Sequence, residues 1–160
     1  MAERYLILDF YVDEPACLGV PPFVAPYPRY ILGALLDAGV SPESVDYLTI
    51  GTLRESGYRL HERYSTAFVI GGAVVPGKYL GHRIGTLAEI LRTVDGNPRQ
   101  EFAAGGMIAP LIARGKRPNC LPVLRDIEMY AYTRARGVAS DERRTAAHVA
   151  RWAVAGAALV

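Results

Sequence analysis

The sequence predicts an α/β domain built on a largely parallel sheet, and three observations carry that prediction. Short apolar segments rich in β-branched and aromatic residues alternate with stretches of helical periodicity along the chain. The first of them, YLILDFYV at 5–12, is apolar almost throughout instead of alternating, as a strand covered on both faces must be. Loops rich in glycine or proline follow the first, third and fourth apolar segments. In an open parallel sheet such loops gather at the carboxyl ends of the strands, where ligands bind.

Taken in order, the strand at 5–12 runs into DEPACLGVPPFVAPYPR at 13–29, which holds five of the eleven prolines. A loop of that length in a compact domain is uncommon unless it has a function. A helix over 28–38 follows, with Tyr30, Ile31, Ala34 and Leu35 at helical spacing and Gly39 as its stop. VDYLTI at 45–50 reads as the second strand, and the polar 52–64 as a loop with a helix broken at Gly57. AFVIGGAVV at 67–75 is the third strand. PGKYLGHRIG at 76–85 then leads to a helix that Thr86 caps, with Glu89 completing a capping box.

QEFAA at 100–104 gives a fourth strand, followed by Gly105-Gly106 and a helix through MIAPLIAR that stops at Gly115. CLPVL at 120–124 is a fifth strand, placed at an edge by Pro122, and 126–136 a helix. Ser140-Asp141-Glu142 reads as the start of the last helix, whose apolar stripe is Val149, Trp152, Ala153, Gly156 and Leu159. No stop signal precedes Val160, so we expect a piece of a longer polypeptide.

Composition narrows the function. The 160 residues suit one domain, and 51% hydrophobic against 21% charged excludes disorder. Eighteen Lys plus Arg against sixteen Asp plus Glu leave a net charge of +2, evenly spread, so no nucleic-acid footprint or polybasic membrane contact is expected. There is no signal peptide and no membrane-length apolar run. Cys17 and Cys120 form no CxxC, which argues against a disulfide scaffold or four-ligand zinc site and favours a reducing cytoplasm.

Catalytic constellations are sparse: His61, His82 and His148 lie on separate segments and read as surface residues. GAVVPGKY at 72–79 approaches a phosphate-cradling loop, but Tyr79 stands where Ser or Thr would hold magnesium, and Lys78 reads plainly as a solvated loop lysine. Asp13-Glu14 is the nearest thing to an acid pair, and Cys17 reads as a small buried hydrophobe more readily than as a nucleophile. The pairs Gly71-Gly72 and Gly105-Gly106 either serve turns or clear space for a flat, nucleotide-like group at adjacent strand ends.

LDFYVDEPACLGVPPFVAPYPRYILGAL, VIGGAVVPGKYLG and AAGGMI together resemble the N-terminal cobalamin-binding domain of archaeal-type radical S-adenosylmethionine proteins. The resemblance covers about the first 110 residues well and the rest loosely. DEPACLGVPP is its specific part. It implies a Rossmann-like, flavodoxin-like three-layer domain with a five-stranded, mostly parallel sheet over 1–138, and a helical linker, 139–160, towards a C-terminal radical domain. That domain would carry S-adenosylmethionine, an iron–sulfur cluster and the chemistry, plausibly methyl transfer. The piece alone would be catalytically inert, with its last helix packing on the radical domain or framing a homodimer.

The cofactor contacts that the resemblance implies are Asp13, Glu14, Pro15, Ala16, Cys17, Leu18, Gly19 and Val20 after the first strand. Gly71, Gly72, Val75, Pro76, Gly77, Lys78 and Tyr79 follow the third strand, and Gly105, Gly106 and Met107 the fourth. Pro15 stands where many cobalamin domains have the cobalt-binding histidine of D-x-H-x-x-G, so no histidine ligand is expected. Two other functions fit the same pattern: a cofactor-free interaction domain, whose tail cavity bulky side chains would fill, and a nucleotide-binding domain working through Lys78.

Overall fold

The computed structural model describes residues 3–10, 26–71, 84–138 and 143–159. Five strands, β1 (Tyr5–Asp9), β2 (Val45–Thr49), β3 (Thr66–Ile70), β4 (Phe102–Gly105) and β5 (Cys120–Pro122), form one parallel sheet in the order β2-β1-β3-β4-β5. The helices are α1 (Pro26–Asp37), α2 (Ile50–Glu55), α3 (Leu87–Gly96), α4 (Ala109–Gly115), α5 (Ile127–Ala135) and α6 (Ala146–Ala155). This is a three-layer α/β fold of the Rossmann-like, flavodoxin-like kind, and its strand order reverses between β1 and β3.

The unbroken apolar run of β1 has a direct cause. Leu6 and Leu8, with Phe10 just beyond the strand, pack with Ile50, Leu53, Ile90 and Ile112 under α2, α3 and α4. Tyr5 and Ile7 face the other way, onto Ile31, Leu35 and Ile127 of α1 and α5. Every β1 and β3 residue is buried, so neither strand can alternate apolar with polar. Phe68 stacks on Tyr5 at 6.1 Å and meets Tyr130 edge-on at 6.4 Å, tying β1 and β3 to α5.

Several elements end earlier or later than the sequence pattern suggests. β3 closes at Ile70, and Ile50 opens α2 instead of ending β2; the break after α2 is made by Gly57 and Tyr58, both left-handed at φ 62° and 66°. Thr86 and Glu89 form the expected capping box. The last helix is capped by Thr145 and not at Ser140, which lies outside the described residues; the His148 ring takes the place that Glu or Gln usually has in such a box.

His148 is therefore no surface residue. It is buried and stacks on Trp152 at 5.1 Å between ring centroids. The stripe expected to serve a following domain is also partly used here, because Trp152 is fully buried against α1 with Ala34 and Met129. The two helices meet backbone to backbone: a Cβ on Gly33 would lie 2.1 Å from the Trp152 carbonyl oxygen, and one on Gly156 1.8 Å from that of Arg29. Trp152 Nε1 donates to Asp37 at 3.0 Å, and Arg151 joins the same carboxylate at 3.2 Å.

At the amino ends of the strands, side-chain amides join the loops. Gln100 accepts from the Tyr64 amide at 2.9 Å and donates to the carbonyls of Tyr64 at 3.0 Å and Glu101 at 2.8 Å. Asn97 accepts from the Leu60 amide at 3.0 Å and donates to the carbonyls of Tyr58 at 2.9 Å and Thr93 at 2.7 Å.

Candidate functional site at the carboxyl edge of the sheet

The reversal of strand order places β1 and β3 side by side at the centre of the carboxyl edge, with β4 and β5 continuing to one side. Of the residues expected to hold a ligand, Gly71, Gly105, Gly106 and Met107 are described and do lie along this edge. Asp13 to Val20, Gly72 and Val75 to Tyr79 lie outside the described residues.

The glycines prove to differ from one another. A Cβ on Gly71 would come within 2.8 Å of Ile90 Cδ1 and 3.5 Å of Phe10 Cβ, and one on Gly105 within 2.5 Å of Ile127 Cβ. Core side chains therefore occupy the space these two leave. Gly106 is left-handed at φ 72°, where a side chain is strained, and it borders open space. Phe10 fills the region beneath the strand reversal: its carbonyl accepts from the Gly85 amide at 2.7 Å and its amide donates to Ile70 at 3.0 Å.

Beside Phe10, Asp9 at the end of β1 is buried at 1% exposure and accepts from the Tyr47 hydroxyl at 2.9 Å. A carboxylate buried at the end of a central strand is held in place by such a bond.

The open space beside Gly106 is a groove of about 900 Å³ between the end of β5 and α5. Its apolar wall includes Val123, Met129 and Tyr130, and its rim includes Arg125, Asp126, Arg143 and Arg144. Arg144 reaches Asp126 at 3.3 Å and also pairs with Glu128, whose side chain is 4% exposed. That pair pins the segment leading into α6 across the start of α5. Burial raises the Tyr130 phenol above its ordinary pKa, so the hydroxyl stays protonated. Cys120, inside the adjoining core, has its thiol pushed up to about 11 by burial and is no nucleophile at neutral pH.

Apart from Gly106, the sequence does not point to this groove. Its lining comes from 106, 121–126, 129, 130, 133 and 143–144, segments brought together only by the packing of α5 against the sheet and by the ion pairs of Arg144. The sequence hint available was the arginine pair 143–144 just before the last helix.

Among the described residues no cluster of three or more His, Cys, Asp or Glu could hold a metal ion, and no helix is long and apolar enough to cross a membrane.

The fold and this edge define a doubly wound α/β domain with room for a ligand at the carboxyl ends of its strands. An uncharacterized protein of Archaeoglobus fulgidus is 53% identical over 78 residues, which are 47% of this chain and 14% of that protein. An uncharacterized protein of Methanocaldococcus jannaschii is 46% identical over 93 residues, 57% of this chain and 16% of that protein. The matches thus span about one-seventh of the length of these curated relatives. No protein-family model and no solved structure matches the chain.

Proposed function

We propose that this chain is the cobalamin-binding module of a longer radical S-adenosylmethionine enzyme and is catalytically inert by itself. The observation that carries the reading is Gly106, set at the carboxyl end of β4 and bordering a groove of about 900 Å³ with an apolar wall and a cationic rim. A nucleotide tail needs room, an apolar surface and counter-charge, and these residues offer all three. The resemblance of DEPACLGVPP supports the same reading, as does the much greater length of the relatives. Gly106, Val123 and Tyr130 would border the tail. When bound, the corrin would supply a cobalt-held methyl group; the domain's own residues bind and orient it.

A second reading, a cofactor-free interaction domain, is favoured by one specific observation. Ile127 and Ile90 fill the spaces that Gly105 and Gly71 would otherwise open. Titration of the chain with hydroxocobalamin, followed by visible spectrum and heat, decides between the two. Saturable one-to-one binding with shifted corrin bands is expected; no binding at high micromolar cobalamin would refute the first reading in favour of the second.

A further inference from the structure

Cations spaced evenly along the sequence are not spaced evenly in the fold. The loops leading into β3, β4 and β5 meet at the carboxyl end of α3, on the edge of the sheet opposite the groove. Asn119 donates there to the carbonyls of Val94 at 3.2 Å and Asn97 at 3.3 Å, and the Arg59 guanidinium donates to that of Gly96. The Arg92 guanidinium lies 4.6 Å from the centre of the Tyr58 ring. Arg59, Arg92, Arg99, Arg114 and Lys116 are all exposed, and among the described residues none of them makes an ion pair. The acids next to them are matched elsewhere: Asp95 with Arg117 at 2.8 Å, Glu62 with Arg4, and Glu101 with Arg134 at 3.7 Å. Only Glu55, at the end of α2, is an exposed acid nearby without a cation. One or two cations would answer the negative ends of α3 and α4, as Arg59 does directly; five exceed that need.

We propose that this amino edge is a docking surface for the phosphodiester backbone of a nucleic acid. β3, β4 and β5 are neighbours about 4.8 Å apart, so their three loops span about 10 Å before the long side chains extend further. A duplex carries one negative charge per about 1.7 Å of its axis, so a nucleic acid crossing the loops brings several phosphates within reach. Four of the five cations are arginines, whose paired N–H donors fit phosphate oxygens. Segments 58–61, 92–101 and 114–119 hold no exposed large apolar side chain. A protein partner or a membrane needs apolar anchors within the contact, whereas phosphates are held by charge alone. The proposal is independent of the cofactor reading, which concerns the other edge.

The test is fluorescence anisotropy of a labelled oligouridine RNA strand and of a labelled DNA duplex, titrated with the chain over a range of salt concentrations. At low salt at least one of them should bind with a dissociation constant of about 1–100 µM. The triple variant Arg99→Gln/Arg114→Gln/Lys116→Gln breaks no ion pair, so its melting curve should match that of the wild type. It should weaken binding about tenfold or more and make the plot of log affinity against log salt shallower by about two to three units of slope. Arg143→Gln removes an exposed cation at the other edge and should change neither. Preference for the RNA strand or for the duplex tells which nucleic acid supplies the phosphates.

Absence of binding to both probes at low salt overturns the proposal. So does binding that the triple variant leaves unchanged, or that Arg143→Gln weakens to the same extent. Attachment to phosphatidylserine vesicles through the same three residues, with neither probe bound, overturns it in favour of a membrane surface.

Discussion

Replacing Gly33 by alanine should loosen the last helix while leaving the sheet intact. The new Cβ would sit 2.1 Å from the Trp152 carbonyl oxygen, where ordinary contact begins at 3.4 Å, so α6 must retreat by about 1.3 Å. A gap of that size forfeits roughly half of the packing energy of the groups that face it. A fully buried tryptophan removes about 200 Å² from water, worth about 5 kcal/mol at about 25 cal/mol per Å². Losing half of that, with the Trp152–Asp37 hydrogen bond stretched as well, gives a cost of about 2–3 kcal/mol. For a domain of this size the melting temperature should fall by about 4–12 °C. Trp152 is the sole tryptophan, so its emission reports α6 directly. It should move to longer wavelength in Gly33→Ala before the far-ultraviolet dichroism changes. Unaltered emission and an unaltered melt would refute the claim that α6 is seated on α1 through these two backbones.

Other expectations follow from the same structure. Burial pushes the Glu89 carboxyl up, but the Arg54 guanidinium, the Thr86 amide and the Tyr58 hydroxyl outweigh it and bring the pKa down to about 2. Its contribution is therefore complete above about pH 4.5 and is lost as the pH falls towards 2; Glu89→Gln should show less acid-induced loss of stability over that window in urea melts. In a Cys17→Ser background, Cys120 should react with an aromatic disulfide at pH 8 only as the chain unfolds, and rapid native reaction would contradict its burial. Gly106→Val should cost about 1–3 kcal/mol from its left-handed backbone and also abolish cobalamin binding in the titration; unchanged affinity would remove the groove from the proposed site. Arg144→Ala should destabilise the fold by about 3 kcal/mol in denaturant melts, because Glu128 is left buried without its cation, whereas Arg143→Ala should not.

The sheet is legible in the sequence because burial on both faces leaves no alternative pattern: TAFVI is apolar or small throughout, and YLILD is apolar up to Asp9, the one buried carboxylate at its end. Pro122 signals an edge strand, and β5 is one. Thr86 and Glu89 mark a helix start by a local hydrogen-bond rule, and local rules can be read from a chain. The start of α6 is misread because His148 does the work of a glutamate, a substitution that no composition rule anticipates. The glycine pairs mislead in a different way: a glycine that clears room for Ile127 and one that borders a groove look identical in sequence. The groove itself depends on contacts across more than fifteen residues, such as Arg144 with Glu128, which leave no periodic trace.

The amide groups at the amino ends of the strands set a limit of another kind, on the chemical lifetime of the domain. Gln100 serves Tyr64 from both sides because an amide can donate and accept at once. Hydrolysis of that amide to a carboxylate, the slow ageing reaction of glutamine and asparagine at high temperature, would leave acceptors only. The new oxygen would then face the carbonyls of Tyr64 and Glu101, and attraction would turn into repulsion between β3 and β4. Asn97 stands in the same position towards Tyr58 and Thr93. The durability of this domain in the heat is tied to the survival of two uncharged side chains, far from the edge where a ligand would bind.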